Sequence, residues 1–461
     1  MNRYPKVRLH EIAKYRKEFM TIKDSEQYKR CRVQLHKKGI VLRDEVAGGD
    51  IKTKKQRVCH EDDFLVAEMD AKFGGYGIVP KELEGAIVSS HYYLFQLDKN
   101  KIKPEYLLVL IDTDVIQNQI KAKGSTNYSR VSPLEVLDFE IPCPKIRDQD
   151  RIITKYLLSK KIVQNLDREF TIQSHLLTKL RQSILQEAIE GKLTADWRRA
   201  NPVRKGDPDY DAEALLAKII VEKQTLIRNR ELKKGKLPKF IRSFIGDLTL
   251  PIEWVKVKAD DIYFVTKLAG FEYSKHVTLS AIGEIPVIRA QNVRKLHIYK
   301  RNLLYIDRKT SLLLDRCALT QQCLLVTFIG AGIGDIALFD EKERYHLAPN
   351  VAKMEPFKGC DQMVNNRLFN YFLLSKFGQK EIFKHMKATA QPSLSMETIR
   401  DIDFPLPPLA EQRVIVERIE KLLSMVDELE TQVKERKDQT AMLLQSVLRE
   451  VFEAKLEQES A

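Results

Sequence analysis

The sequence predicts an α+β protein made of two mixed α and β domains in tandem repeat, each followed by a long helix. Two observations carry this prediction: an apolar heptad pattern occurs in two places, and the two places are offset by 263 residues. A heptad seam needs a partner helix to cover it, so the two long helices are expected to form an antiparallel coiled coil with each other. A chain of 461 residues is also too long for one hydrophobic core.

The seam of the last helix consists of apolar residues that recur at alternating steps of four and three. These residues are Ile415, Ile419, Leu422, Val426, Leu429 and Val433. The residues 263 positions earlier, which fall on the same seam positions, are Ile152, Tyr156, Ser159, Val163, Leu166 and Phe170. The proline-containing segments 142–149 and 405–412 precede the two seams at the same offset, so two copies of one unit are predicted, with helices over 150–189 and 411–455.

The rest of each copy reads as short strands mixed with helices. In the first copy, β-rich runs occupy 63–68, 86–91 and 92–97, and a helix is expected over 106–120. In the second copy, a strand at 324–329 and a helix at 366–375 repeat this plan with different residues. The scaffold is therefore predicted to be duplicated while the surface that it displays has diverged.

The composition bounds the partners of the chain more than its fold. A formal net charge of +14 favours binding to a polyanion, although a merely basic soluble protein would have the same charge. No run of eighteen apolar residues predicts a membrane span. The six cysteines lack the spacing of a zinc site, so they are expected to be free thiols in a reducing cytoplasm.

Two glycine-rich segments raise the possibility of a methyltransferase cofactor loop. Residues 73–77 and 328–332 both fit Phe-x-Gly-x-Gly. An amino-methyltransferase would also need an Asp or Asn followed by Pro-Pro and an aromatic residue, and the sequence has no such tetrapeptide. Because the glycines lie at equivalent places in both copies, they are interpreted as structural hairpin turns. No catalytic, cofactor-binding or metal-binding residue is predicted.

Several segments together are similar to the specificity subunit of type I restriction-modification enzymes. They are 405–420, 180–193, 347–353, 250–254 and 288–293, and the resemblance extends over essentially the whole chain. It implies target recognition domain 1 over 1–145, a first long helical region over 146–200, a helical and basic linker over 201–248, target recognition domain 2 over 249–408 and a second long helix over 409–457.

The resemblance also implies a function and a set of partners. Each recognition domain would read one half of a bipartite DNA target, and the two helices would set the distance between the halves. The chain itself would be a non-catalytic, cytoplasmic subunit. Modification (methyltransferase) subunits, expected in two copies, would bring S-adenosylmethionine, and restriction subunits, if present, would bring ATP- and Mg-dependent translocation and cleavage.

Basic and amide side chains in loops are the predicted DNA contacts, because Arg, Asn and Gln can pair two groove atoms at once. In the first domain they are Lys52, Lys54, Lys55, Arg57, Lys121, Lys123, Asn127 and Arg130. In the second domain they are Arg289, Gln291, Asn292, Arg294, Lys384, Lys387, Thr389 and Gln391.

Two other classes of function remain open from the sequence. The chain could be a stand-alone DNA methyltransferase or nuclease, and methyl transfer by the purified chain alone would establish that. It could also be a coiled-coil structural protein that binds nucleic acid regardless of sequence, in which case phosphate contacts alone would set its salt dependence.

Overall fold

The structure is a computed structural model that describes residues 4–120, 130–232, 244–245, 248–330, 332–384 and 393–453. The chain divides into two compact units, Met1–Ile172 with Val433–Ala461, and Gln173–Gln432, called unit 1 and unit 2 below. Each of the two long helices contributes one segment to each unit. Each unit is described by itself.

The helices and strands follow one another along the chain. The first domain and the first long helix contain β1 Lys6–Arg8, β2 Ala13–Arg16, β3 Phe19–Thr21, β4 Gln27–Val33, β5 Ile40–Ala47, β6 Lys55–Val58, β7 Phe64–Ala67, β8 Tyr76–Ile78, β9 Ile87–Val88, β10 Tyr92–Leu97, α1 Pro104–Asp112, α2 Pro133–Leu137, β11 Glu140–Pro142 and α3 Ile146–Ile189. The remainder contains α4 Ala195–Ala200, α5 Ala212–Arg228, β12 Phe244–Ile245, β13 Leu248–Thr249, β14 Val255–Lys258, α6 Ala259–Ile262, β15 Tyr263–Lys267, α7 Gly270–His276, β16 Ile285–Ile288, β17 Val293–Arg294, β18 His297–Ile298, β19 Leu304–Ile306, α8 Arg308–Leu313, β20 Ala318–Leu319, β21 Cys323–Thr327, β22 Ile336–Phe339, β23 Tyr345–Leu347, β24 Val351–Pro356, α9 Asn366–Leu374, α10 Lys376–Phe383, α11 Met396–Arg400, β25 Asp403–Leu406 and α12 Leu409–Glu453.

A four-stranded antiparallel sheet forms the frame of unit 1, in the order β2–β10–β7–β8. Every residue of β7 is buried, which is why its sequence is continuously apolar rather than alternating. Helix α1 packs on this sheet, and Tyr106 and Leu110 share a core with Phe64 and Phe95. A second sheet, with five strands in the order β3–β6–β9–β4–β5, completes the domain.

Unit 2 contains the same frame built from different residues. Its four-stranded antiparallel sheet has the order β15–β24–β21–β22, and α9 packs with it in one core. The two-stranded pair β14–β25 corresponds to the pair β1–β11 of unit 1. The accompanying sheet differs, because unit 2 has four strands in the order β19–β16–β23–β20 and a small hairpin, β17–β18. The predicted fold class, a duplicated mixed α and β domain with two long helices, is confirmed.

The glycine-rich segments form hairpin connections in both frames. Gly74 has φ +75° between β7 and β8, and Gly330 has φ +107° between β21 and β22, values that favour glycine over other residues. The helix predicted over 106–120 is shorter than expected and ends at Asp112. The Thr113 hydroxyl donates to the Leu110 carbonyl and accepts from the Val115 amide, which diverts the backbone into an extended conformation.

The two long helices pair in antiparallel fashion within each unit. In unit 1, Lys155 of α3 forms a 2.9 Å ion pair with Glu450 of α12. In unit 2, Arg181 of α3 contacts Asp427 and lies 3.2 Å from Glu430. The residue number rises along α3 as it falls along α12, as antiparallel pairing requires. With 44 residues, α3 is about 66 Å long at 1.5 Å per residue.

Most predicted seam residues face inward, and one does not. The buried ones are Ile152, Tyr156, Phe170, Ile415, Ile419 and Val426, and the half-buried ones are Ser159, Val163, Leu166, Leu422 and Val433. Leu429 is 44% exposed, so its assignment to the seam was wrong. Beyond Val426 the inward positions recur in steps of seven, at Val433 and at the 8% exposed Thr440, which leaves the intervening position 429 turned outward.

The proline-containing segments before the helices hold matching glutamine contacts. Gln149 accepts a 2.9 Å hydrogen bond from the Lys103 amide, just before α1, and donates to the Pro144 carbonyl at 2.9 Å. Gln412 accepts a 3.0 Å hydrogen bond from the Asn365 amide, just before α9, and donates to the Pro407 carbonyl at 3.0 Å. Both glutamines are fully buried. These two glutamine brackets fasten each sheet-packed helix to the start of the long helix that follows its domain.

Candidate nucleic-acid interface

Strand β6 carries the first group of predicted contacts, on the five-stranded sheet of unit 1. Lys52 is exposed before the strand, and Lys55 is exposed with Nζ 4.8 Å from the ring centroid of Phe19. Lys54 instead donates to Asp24 Oδ1 at 2.6 Å and to the Gly48 carbonyl at 2.8 Å. Lys52 and Lys55 are therefore exposed side chains of this region, whereas Lys54 is occupied by contacts within the domain.

Arg57 lies on the same strand but faces the interior, with 6% of its surface exposed. Its guanidinium group lies 4.6 Å from the ring centroid of Phe19 and 5.3 Å from that of Tyr15, and Nη2 donates to the Tyr15 hydroxyl at 2.6 Å. This placement differs from the exposed base contact expected from the sequence. The physical reason is that a delocalised cation stacks well on aromatic rings, so Arg57 joins strands of the domain.

The hairpin of β4 and β5 in the same sheet carries exposed basic residues that the sequence-based selection missed. Lys29 and Arg32 are exposed on β4, Arg43 is exposed on β5, and Lys38 is exposed in the connection between them. The available signal was the run of basic residues at 29, 30 and 32 within a strand. Residue 30 of that run is not available for contacts, since its guanidinium group is paired with the Asp44 carboxylate by two 2.7 Å hydrogen bonds.

Two predicted contact loops lie largely outside the described residues. The predicted contacts there are Lys121, Lys123, Asn127, Lys387, Thr389 and Gln391. Of their described neighbours, Arg130 is exposed and lines a pocket of about 480 Å³ with Gln119 and Glu135. Lys384 donates to Glu381 Oε2 at 2.6 Å and to the Asp401 carbonyl at 2.9 Å, so it stabilises the fold around α10.

Residues 289–302 of unit 2 form a loop and hairpin, called the 289–302 hairpin below, that includes β17 and β18. Gln291 and Arg294 are exposed, as a DNA contact requires, although the Arg294 Nη1 also donates to the main-chain carbonyls of Ala290 at 3.0 Å and Val293 at 2.7 Å. Asn292 is 1% exposed, accepts from the Arg289 amide at 3.1 Å, and donates to the Tyr299 carbonyl at 2.8 Å. Asn292 was expected to face the bases, but the structure uses its amide inside the hairpin, where it satisfies main-chain groups that would otherwise be unpaired.

Arg289 also contributes to the interior of the hairpin. It is half-buried, and its Nη2 donates to the Asn302 carbonyl at 2.6 Å. The outer side of the hairpin lines an open pocket of about 570 Å³ with Gln291, Arg294, Lys295, Tyr299 and Asp335. Lys295 and the half-exposed Tyr299 were not selected from the sequence, although both belong to the same short basic segment.

A buried carboxylate marks the start of α12 in unit 2. Glu411 is fully buried and accepts from Trp254 Nε1 at 2.8 Å, Thr194 Oγ1 at 2.7 Å and Arg198 Nη1 at 2.5 Å. Burial raises the pKa of Glu411, and these three donors act in the opposite direction by favouring its charged form. Nearby, a hydrogen bond from Arg418 lowers the pKa of Asp196 to about 2. These contacts organise the helix start and place no reactive group in a cleft.

The described residues show no grouping typical of a catalytic metal centre. Among them, no cluster of three or more His, Cys, Asp or Glu side chains could hold a metal ion. All six cysteines are free thiols. None of the described helices is both long enough and apolar enough to cross a bilayer.

Comparisons with known proteins identify the duplicated unit. The model of the family described as the type I restriction modification DNA specificity domain matches the chain twice, over residues 1–182 and 251–436. These two matches coincide with the two copies found in the sequence and in the structure.

Similar proteins point in the same direction. The chain is 23% identical over 333 residues to the type I restriction enzyme EcoBI specificity subunit of Escherichia coli, which covers 72% of this chain and 62% of that protein. It is 22% identical over 357 residues to the EcoKI specificity subunit of Escherichia coli strain K12, covering 75% of this chain and 64% of that protein. The chain thus matches somewhat less than two thirds of the length of these relatives.

Solved structures share the fold. One, from work on complex assembly and conformational transition of the type I R-M system, aligns with a TM-score of 0.66 at 16% identity and covers 97% of both chains. The HsdS subunit from Thermoanaerobacter tengcongensis aligns with a TM-score of 0.57 at 17% identity, covering 98% of this chain and 97% of that one. With two matches to the family model that together span most of its length, the chain belongs to the type I restriction modification DNA specificity domain family.

Proposed function

We propose that this chain is the sequence-reading subunit of a type I restriction-modification complex, recognises a bipartite DNA target and has no catalytic activity of its own. The observation that carries the proposal is the duplicated frame with two dissimilar accompanying sheets. The orders β2–β10–β7–β8 and β15–β24–β21–β22 are equivalent, whereas the sheet beside each frame differs in strand number and order. Two equivalent frames with two different surfaces suit two different half-sites on one DNA molecule.

The charge distribution supports DNA as the target. Exposed cations lie on the divergent sheet of the first domain, at Lys29, Arg32 and Lys55. In the second domain, exposed Arg294 and Lys295 lie on the 289–302 hairpin. Phosphate contacts from Lys and Arg position a protein on the duplex, and side chains that reach base edges specify the sequence. The divergent parts of both domains thus carry the groups that DNA reading needs.

The predicted contacts divide into groups by placement, and we propose different roles for them. Direct contact with DNA is assigned to the exposed Lys52, Lys55, Arg130, Gln291 and Arg294, and it remains assigned to Lys121, Lys123, Asn127, Lys387, Thr389 and Gln391. A supporting role behind the DNA-facing surface is assigned to Lys54, Arg57, Arg289, Asn292 and Lys384, whose side chains are bonded within the fold.

Modification subunits are the proposed partners of the helical pair, and two exposed apolar pairs support two copies. In unit 1, Ile162 of α3 and Leu443 of α12 are 46% and 43% exposed. Ile162 lies seven residues after Lys155, and Leu443 lies seven residues before Glu450. Because Lys155 and Glu450 form an ion pair between the antiparallel helices, Ile162 and Leu443 lie at the same level of the helix pair. In unit 2, Leu180 and Met425 are 45% and 55% exposed.

The 263-residue offset relates these two pairs to each other. It carries Ile162 onto Met425 and Leu180 onto Leu443, so each pair is the repeat counterpart of the other. Exposed apolar surface that recurs in both copies of a repeat suits two identical partner molecules. Each modification subunit would then bury one pair.

The cofactors are proposed to belong to the partners. S-adenosylmethionine would be bound by the modification subunits, and ATP and Mg by restriction subunits if the complex has them. The free thiols, most of them buried, suit a reducing cytoplasm, where we propose the complex acts. The chain would supply the DNA sequence preference and the docking surface.

The function can be tested by reconstituting the chain with its modification subunits. Sequencing of methylated bases in DNA treated with the complex is expected to show one bipartite sequence with a fixed spacer, and the chain alone is expected to transfer no methyl groups. Methyl transfer by the chain alone would establish the stand-alone enzyme instead. Binding that is equal on all sequences and depends only on salt would establish the sequence-indifferent alternative.

The docking proposal has a separate test, which measures the mass of the complex. Ile162→Asp or Met425→Asp is expected to remove one modification subunit each, because a charge would be buried in an apolar interface. The matched control is Gln164→Asp, at an exposed position two residues from Ile162. A complex that keeps both modification subunits in both variants would refute this docking site.

A further inference from the structure

The 289–302 hairpin has an unusual internal construction for a surface segment. Its fourteen residues include five Lys or Arg and no Asp or Glu. Among the residues that the structure describes, Asn292 is the only buried polar side chain of the hairpin. The side-chain oxygen of Asn292 accepts a hydrogen bond from the Arg289 main-chain amide. Its side-chain NH2 group donates to the main-chain carbonyls of Tyr299 at 2.8 Å and Arg301 at 3.3 Å. One side chain therefore ties the beginning of the hairpin to its end.

Further contacts fix the hairpin on the frame of the domain. The Tyr299 main-chain amide donates to the main-chain carbonyl of Asn292 at 2.7 Å. At the turn, Leu296 has φ +68°, and its main-chain amide donates to the Ile336 carbonyl of β22 at 3.0 Å. Arg289 donates to the Asn302 carbonyl at 2.6 Å. The main chain of the hairpin is held at its base and at its turn, so its outward side chains start from fixed positions.

The outward side chains are of the types that read base pairs. Gln291 and Arg294 are exposed, and Tyr299 is 50% exposed beside them, around one open pocket. The Arg294 Nη1 donates to the main-chain carbonyls of Ala290 at 3.0 Å and Val293 at 2.7 Å, so the exposed guanidinium group is held against the hairpin by one of its nitrogens. Gln can pair two groups of adenine and Arg two groups of guanine in the major groove, which is wide enough for a two-stranded β-ribbon. The carboxylates near the hairpin include Asp335 in the same pocket, Glu341, which is paired with Lys300 at 2.8 Å, and Glu343, whose charge also acts on Lys300. They leave an excess of positive charge on the hairpin.

We propose that the 289–302 hairpin is the base-reading element of the second domain, with Gln291, Arg294 and Tyr299 toward the bases, and that Asn292 is the positioning residue that holds it in shape. The proposal rests on the proposed function and deepens it. No corresponding hairpin occurs in the described part of the first domain, where β4 and β5 form the basic hairpin of a different sheet. The two domains would thus read their half-sites with unrelated elements.

The test uses the full chain reconstituted with its modification subunits and a library of random duplex DNA. Bound duplexes are sequenced, so that base preference is measured at both half-sites at once. In Asn292→Ala, the preference at one half-site is expected to fall roughly 5- to 150-fold, the range for losing a good bidentate base contact. The preference at the other half-site and the salt dependence of binding are expected to stay unchanged, because phosphate contacts remain.

Matched variants separate positioning from general damage. Asn366 of α9 is also a buried, bonded asparagine, which accepts from the Tyr263 hydroxyl at 3.0 Å, but it belongs to the shared frame. Asn366→Ala is expected to lower the thermal stability without changing the bases preferred at either half-site. Gln291→Ala removes an exposed side chain, so it is expected to relax the same half-site as Asn292→Ala while leaving thermal stability unchanged.

The possible outcomes are distinct. If Asn292→Ala and Gln291→Ala both enrich the same bases as the unaltered complex at both half-sites, the hairpin does not read DNA and the inference is overturned. If Asn292→Ala and Asn366→Ala relax both half-sites alike, the role of Asn292 is only structural, which also overturns it. If the unaltered complex enriches no sequence, the proposed function itself fails, and the inference fails with it.

Discussion

The two glutamine brackets provide a stability test in duplicate. In the first bracket, Gln149→Leu keeps the side-chain volume but removes the hydrogen bonds to the Lys103 amide and to the Pro144 carbonyl, as well as a third one to the Lys101 carbonyl at 2.8 Å. An unsatisfied buried polar group costs about 1–3 kcal/mol. Because the Lys101 carbonyl also accepts from Cys143 Sγ at 3.6 Å, two groups remain unpaired, and the expected loss in the free energy of unfolding is about 2–6 kcal/mol.

The assay combines urea unfolding with amide hydrogen exchange at single residues. Gln149→Leu is expected to speed exchange at the Lys103 amide and to leave the Asn365 amide unchanged, and Gln412→Leu is expected to do the reverse. Gln164→Leu serves as the control, since residue 164 is exposed on α3. If the Lys103 amide exchanges at the same rate in Gln149→Leu as in the unaltered chain, the bracket does not hold α1 and the reasoning is refuted.

Two other predictions concern the helices. Deleting one heptad from each helix, 166–172 and 433–439, shortens each by about 10 Å and leaves the proposed docking pairs in place. Methylated-base sequencing of the reconstituted complex is then expected to show a spacer shortened by up to about three base pairs; an unchanged spacer would contradict the role of the helices in setting it. The second prediction concerns acid unfolding. The folded-state pKa of Asp196, about 2, lies below its ordinary value of 3.8 because of its hydrogen bond with Arg418. The stabilisation of the folded chain by this pair is therefore fully present above about pH 4 and is lost as the pH falls through about 2. Acid unfolding is measured for Asp196→Asn and for Arg418→Gln, and the free energy of unfolding of both variants is expected to lose this part of its pH dependence. A pH dependence that persists in both variants would rule out the pair as its source.

Patterns local to the chain predicted the frame well. The glycine hairpins, the duplicated plan and most of the seam follow from spacing, because periodicity and turn chemistry act over a few residues. Spacing did not predict that Leu429 faces outward, since the inward stripe of α12 changes to steps of seven after Val426. Such a shift depends on how a 3.6-residue helix drifts against its partner.

The roles of individual site residues were harder to predict, for a different reason. Residue type indicates that Arg57 and Asn292 can bond with nucleic acid, but the same donors can bond with the protein itself. Arg57 is drawn inward by the rings of Tyr15 and Phe19, which come from other strands, and Asn292 by main-chain carbonyls several residues away. Orientation is thus decided by contacts that a linear sequence does not display.

The glutamine brackets have a consequence for how such chains can change their target. Gln149 and Gln412 each bond to a main-chain amide at the start of a domain helix and to a proline carbonyl, so neither bracket depends on the identity of any domain side chain apart from the helix geometry. A foreign domain that presents a helix start at the same place can therefore keep the bracket without a substitution at Gln149 or Gln412. Exchange of whole domains between related chains would create new combinations of half-sites in a single recombination event, while the helices that we propose as the docking surface stay unchanged.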